Sequence, residues 1–210
     1  MRVAELRPII VAALYAMPRH EDELRELDAA LGDGDLGITV RAGATAVAAV
    51  IEEAQPADAG ALLLLAGRAF AGANPSTFAA LIGGALMAAA AEVGAAIELD
   101  AAATERMTAA AAVRIQARGK AELGDKTVVD LLVPMAAVLG AAAQSTPATR
   151  TPAEVAREVA AWARQRVVET SAWQSQRGRA AWQGDRSIGK PDAGSAAIAI
   201  FVEELARAWA

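Results

Sequence analysis

Three carboxylates fall within eight positions of the stretch LDAALGDGDLGITV: Asp28, Asp33 and Asp35. The pattern puts Asp28 in the last turn of a helix and the other two in the glycine-containing turn after it, so all three can converge on one point. Carboxylates that close raise one another's pKa unless a cation lies between them. The chain has no Cys and one His, so the cation it suits is a hard one held by oxygen: Mg2+, Mn2+ or Ca2+. The plainer reading makes Asp33 and Asp35 capping residues, with Asp35 near the N-cap of the next helix. Spacing alone leaves both readings open. An EF-hand is excluded, because a loop starting at Asp33 would carry Ile38 and Ala44 where it needs Gly and Glu.

Mg2+ keeps few protein ligands and usually arrives with phosphate. Three further stretches suit that: AGANPST (71–77), GKAELGDKT (119–127) and GRAAWQGDRSIGKPDAG (178–194). They bring glycine amides together with Lys120, Lys126, Arg179, Arg186 and Lys190. Glycine-rich turns at helix N-termini bind anions through free backbone N–H groups. No G-x-x-x-x-G-K-[ST] run occurs, so the phosphate loop of nucleotide triphosphatases is absent. A Ser-His-Asp triad could use only His20, in the polar connection MPRHEDEL, which reads as a solvated loop histidine.

The elements that must hold these loops are helices. Hydrophobic residues make up 55% of the 210, mostly alanine, and aromatics only 4%. Alanine favours helix, whereas strands prefer β-branched and aromatic residues. Apolar spacing predicts helices near 3–17, 21–31, 38–53, 58–71, 76–97, 101–118, 127–143, 151–181 (with a bend) and 194–209. Pro18, Pro56, Pro75, Pro147 and Pro191 fall between them. TPAE at Thr151–Glu154 has the N-cap, first-position proline and third-position glutamate of a helix start. The expectation is an all-α domain spanning 1–210, with eight or nine antiparallel helices whose polar loops share one end. No apolar run is long enough to span a membrane, and Glu5 and Arg7 interrupt any signal core, so a cytoplasmic location is expected. The net charge of −5 argues against general nucleic-acid binding.

LDAALGDGDLG, GKAELGDKTVVDLLVP and GRAAWQGDRSIGKPDAGSAA resemble, in order, three signature loops of the nucleotide-binding L subunit of dihydroxyacetone kinase. The resemblance implies a closed barrel of eight antiparallel up-and-down helices with ADP or ATP in the loops at one end. It implies that Asp28, Asp33 and Asp35 hold two Mg2+ ions on the phosphates, and that Leu36, Gly37, Ile38 and Thr39 approach those phosphates. Gly119 and the Thr127–Val128 step match positions that wall the adenine. Arg179, Asp192, Ala193 and Gly194 match the remaining nucleotide contacts, with Arg179 placed for charge stabilisation. The ketose would lie on a separate K subunit, since His20 matches nothing in that subunit's active site. The phosphoryl donor would be ATP or a phosphotransferase-system protein. The resemblance also admits a homodimer.

Two departures stand out. Leu36 occupies the position after the third aspartate, where the family usually carries His. The second loop is ANPSTFAALIGG rather than the family's small Gly-Gly-(Ala/Thr)-Ser-Gly run; an ungapped register puts Phe78 at the Ser, and Ser76 and Thr77 are the expected phosphate contacts. These changes suggest a divergent branch and leave its partner's ketose open between dihydroxyacetone and a tetrose or branched-sugar relative. They also keep in view a non-catalytic nucleotide-binding or regulatory module of the same fold. A lipid-head kinase module like the helical domain of fatty-acid kinases fits less well, because its Thr and Asn-Ser-Gly are Leu36 and NPST here.

Overall fold

A computed structural model describes residues 1–144 and 150–209. Pro147 lies outside the described residues. The helices are α1 (Val3–Ala16), α2 (Glu21–Ala29), α3 (Leu36–Ala54), α4 (Ala59–Ala73), α5 (Thr77–Val93), α6 (Ala101–Gly119), α7 (Val129–Gln144), α8 (Pro152–Ser171), the single turn α9 (Gly178–Ala181) and α10 (Ala193–Ala208). Short 3-10 turns cover Met17–His20 and Gly184–Ser187. Among the described residues the only β pairing is one isolated bridge, Arg2 with Glu98.

Neighbouring helices pack in sequence from α3 through α8, α8 packs on α10, α10 on α1, and α1 on α3. Among the described residues, the eight long helices thus form a closed cycle, with α2 lying against α3 and α10. Small residues let the backbones approach. A Cβ at Gly67 would sit 2.7 Å from the Gly83 carbonyl oxygen, and one at Gly83 would sit 2.6 Å from that of Gly67. At that separation α4 and α5 touch through their main chains, which is why alanine and glycine dominate both. Two core clusters fill the interior, one around Leu62, Phe70 and Ile51 and one around Leu131, Ile115 and Met135; Phe78 and Ile82 pack against both.

Helix starts carry the expected chemistry. Asp58, Ser76, Asp100, Thr151 and Asp192 each accept a backbone N–H three residues on, and Thr151 with Glu154 completes the capping box. Asp58 and Ser76 are therefore caps rather than first helical residues. The helix expected to reach Ile97 stops at Val93, where Gly94 takes φ +52°. The long helix expected over 151–181 ends at Ser171. Its terminal carbonyls do not continue a helix: Ser171 O accepts from Lys126 Nζ and Gly189 N, and Trp173 O from Lys126 Nζ.

His20 is not a solvated loop histidine. Its ring nitrogens lie 3.2 Å from Glu23 Oε2 and 2.9 Å from the buried Glu204 Oε1. Glu204 also accepts from Arg19 and Arg207. This cluster fixes the α1–α2 turn to the side of α10.

Candidate functional site

The structure brings the three aspartates together. One carboxylate oxygen from each of Asp28, Asp33 and Asp35 lies within 4.8 Å of the others. The local fold explains the convergence. Asp28 closes α2, the chain reverses through Gly32 and Gly34 (φ +75°), and α3 begins at Leu36. A Cβ on Gly32 would meet the Asp28 carboxylate at 2.4 Å, so a larger residue there would push that carboxylate from its place.

The capping reading now divides. Asp28 reaches across the turn and accepts the N–H groups of Asp35 at 3.0 Å and Leu36 at 3.4 Å, capping α3 from the preceding helix. Asp35 occupies the N-cap position, yet its side chain makes no capping bond. Partial burial pushes the Asp35 carboxyl above its ordinary value, and the charges of Asp33 and Asp28 push it further, against the opposing charge of Arg179. A cation would relieve that repulsion, and the all-oxygen donor set fits Mg2+.

The four loops are tied to one another. Arg179, on α9, is ion-paired with Asp33, and Lys190 Nζ lies 3.5 Å from Ala30 O, so the fourth loop overlies the first. Asn74 Nδ2 donates to Thr39 Oγ1 at 2.7 Å, joining the second loop to the start of α3. Ser76, Thr77 and Gly119 line one open groove of about 480 Å³ with Asn74 and Arg118, so the second and third loops face each other. Val128 and Gly194 also meet, since a Cβ on Gly194 would lie 2.9 Å from Val128 Cγ1 and 3.3 Å from the Phe78 ring. Asp192, beside it, caps α10 by accepting from Ser195 N and Oγ, both at 2.7 Å. Burial raises the Asp192 carboxyl, opposed by these two bonds and the charge of Lys126.

Several expected residues are placed differently from a direct contact. Leu36 and Thr39 are buried, Leu36 in the core and Thr39 under Asn74 with its N–H bonded to Asp35 O, so neither side chain is open to a ligand. Gly37 is packed against α2, where a Cβ would fall 2.1 Å from Glu21 O. Ile38 is exposed. Phe78 packs edge-on against Phe70, with centroids 6.3 Å apart, and lies partly buried against the core.

Lys126 is not a phosphate ligand. It is 1% exposed, and its three N–H groups go to Ser171 O at 3.1 Å, Trp173 O at 2.8 Å and Ser187 O at 2.6 Å. Burial lowers its pKa, partly offset by Asp192. Asp130, also buried, accepts from Gly124 N at 2.6 Å and Thr127 N at 2.8 Å and shapes the same loop. The hydrogen bond from Arg177 lowers the Asp125 carboxyl from its ordinary value, against the opposing effect of burial. Sequence reasoning missed Arg118 and Asn74 in the groove. The signals were present: a cation in the last turn of α6, and an Asn-Pro before a helix start.

The family model for the DAK2 domain matches residues 30–207. The chain is 37% identical over 193 residues to the L-erythrulose 1-kinase of Mycolicibacterium smegmatis, covering 89% of this chain and 32% of that protein. It is 29% identical over 185 residues to the ADP-binding subunit DhaL of the PEP-dependent dihydroxyacetone kinase of Escherichia coli, covering 88% of this chain and 87% of that subunit. The fold is similar to that of the dihydroxyacetone kinase from C. freundii in complex with AMP-PNP and Mg2+, with a TM-score of 0.71 and 23% identity, over 98% of this chain and 33% of that one. The chain thus spans about a third of the length of the first erythrulose kinase it matches. No described helix is long and apolar enough to cross a membrane. The match of the family model over most of the chain places this protein in the DhaL/DAK2 family.

Proposed function

We propose that this chain is the ADP- or ATP-binding part of a ketose kinase and delivers a phosphoryl group to a ketose held on a K-type subunit or domain. The observation that carries the reading is the convergence of Asp28, Asp33 and Asp35 at the end of the fold where all four polar loops meet. The likeness to an erythrulose kinase and to a dihydroxyacetone kinase subunit supports a short-chain ketose as acceptor, a tetrulose included.

Phosphoryl transfer asks the protein chiefly for positioning and charge stabilisation. Asp28, Asp33 and Asp35 would hold Mg2+, which when bound neutralises phosphate charge. Ser76 and Thr77 present hydroxyls at the N-terminus of the 17-residue α5, a polarity that favours phosphate. Gly119, Val128 and Gly194 would wall the base, while Asp192 and Ala193 set the backbone beside it. Arg179 is tethered by an exposed ion pair, which it can exchange to turn its planar fork to a phosphoryl oxygen. Among the described residues, none near the cluster is placed as a general base, which fits an acceptor activated by the partner. The phosphoryl source is ATP in one version of this reading and a phosphotransferase-system protein recharging bound ADP in the other.

Titration calorimetry with ADP and Mg2+ tests the site. The wild-type chain binds, and Asp33→Asn loses the Mg2+-dependent affinity; equal affinity in the two would sink the assignment. Phe78 at the family's Ser position, and Leu36 at its His position, favour a second reading, a nucleotide-binding module without catalysis. Mixing the chain with ATP, a ketose and a K-type subunit separates them, because ketose phosphate forms only under the first reading.

A further inference from the structure

Residues 171–189 leave the end of α8, make the single turn α9, pass through the 3-10 turn at Gly184–Ser187 and return to the point of departure. The two ends of this excursion are joined by Gly189 N to Ser171 O at 2.8 Å and by Ser175 N to Ser187 Oγ at 2.9 Å. Lys126 enters between them from the third loop. Its ammonium has three donors and no acceptor, and all three are spent on carbonyls from both ends of the excursion: Ser171 and Trp173 on one side, Ser187 on the other. The backbone at Lys126 has φ +60°, uncommon for a residue with a side chain, so the loop is bent to deliver it. A second tie runs beside it, Gln176 N to Asp125 O at 3.0 Å, with the Arg177–Asp125 ion pair at 2.8 Å. The excursion's tip is α9, which carries Arg179 over Asp33.

From this we infer that Lys126 is a positioning residue: by clamping both ends of the 171–189 excursion it holds Arg179 over the aspartate cluster, and it does so without touching the ligand. The inference rests on the nucleotide site proposed above. It also ties the loop walling the base, through Val128, to the loop carrying Arg179, so the two ends of the nucleotide are read by one connected unit.

The test uses the full chain with Lys126→Met, which keeps length and removes the three donors. Amide exchange at Ser175, Gln176 and Gly189 becomes faster, while that of α3 to α6 is unchanged. Affinity for Mg–ADP falls roughly tenfold, the lower end of what supporting groups around a ligand site contribute. In a double-mutant cycle with Arg179→Ala the losses are not additive, since both act through one loop. Should Lys126→Met not fold, Lys126→Arg, which keeps the charge but replaces the three-donor ammonium with a planar fork, is read in the same way, with a loss of about threefold. Unchanged exchange at the three amides in the folded variant, or strictly additive losses in the cycle, overturns the assignment. A wild-type chain that fails to bind Mg–ADP defeats the nucleotide reading instead, and the exchange measurement still decides the clamp.

Discussion

Arg179 and Asp33 form an ion pair in which the two side chains remain 56% and 44% exposed. Such exposed pairs contribute little to stability, roughly 0–1 kcal/mol. Arg179→Ala should therefore leave the unfolding free energy within about 0.5 kcal/mol of wild type. Phosphoryl transfer to the ketose, measured with the partner present, should fall about 100-fold or more, as for loss of a charge-stabilising donor. Arg179→Lys should recover only part of the rate, because an ammonium lacks the planar fork.

The raised Asp35 carboxyl fixes a sign. A folded pKa above the unfolded one means that ionised Asp35 costs stability, so the metal-free protein loses stability as pH rises through that folded value. Asp35→Asn should then melt higher than wild type in EDTA at neutral pH. With Mg2+ and ADP at a hundredfold excess over Kd, wild type should gain about 2.7 kcal/mol, and the variant much less. Thermal scans with and without Mg2+ check both halves.

Glu204 gives the opposite sign. Burial disfavours its charge, but the bond from His20 and the charges of Arg207 and Arg19 outweigh that and hold its pKa below the ordinary value. Its stabilising contribution is present above the unfolded glutamate pKa of about 4.3 and is lost as pH falls from there through the lower folded value. Urea unfolding of wild type from pH 6 to pH 3 should show that loss. Glu204→Gln should flatten the curve over that window and cost about 1–3 kcal/mol at neutral pH, by unpairing a buried network.

Two glycines should respond in opposite directions. In Gly37→Ala the new methyl meets the Glu21 carbonyl, a backbone group that cannot step aside, so α3 must shift away from α2. The expected cost is about 1–3 kcal/mol together with weaker Mg–ADP binding, because the shift moves Asp35. Gly72, inside α4, leaves open space around an added methyl, with nothing within 4 Å, and Gly72→Ala should gain about 0.5–1 kcal/mol. Chemical denaturation of both variants is sufficient.

The helices were legible because alanine content and apolar spacing act locally. The TPAE start and the acidic turn could be read from their own few residues, and both formed as expected. What was illegible came from contacts between distant segments. Nothing local marks Lys126 as buried, since its surroundings in GKAELGDKT are polar; only the arrival of Ser171, Trp173 and Ser187 encloses it. His20 misled in the same way, because Glu204 is supplied by α10. The end of α8 at Ser171 is likewise set by a lysine from another loop rather than by a breaker in its own sequence.

The closure of the helix cycle through α10 also orders events in time. During synthesis α1 and α3 can meet early, but the ring stays open until α10 packs between α8 and α1. The same helix brings Asp192 and Gly194 to Val128. A nascent chain without α10 therefore lacks both the last wall of the ring and one side of the proposed site. On the proposed function, binding competence awaits the same helix that completes the ring.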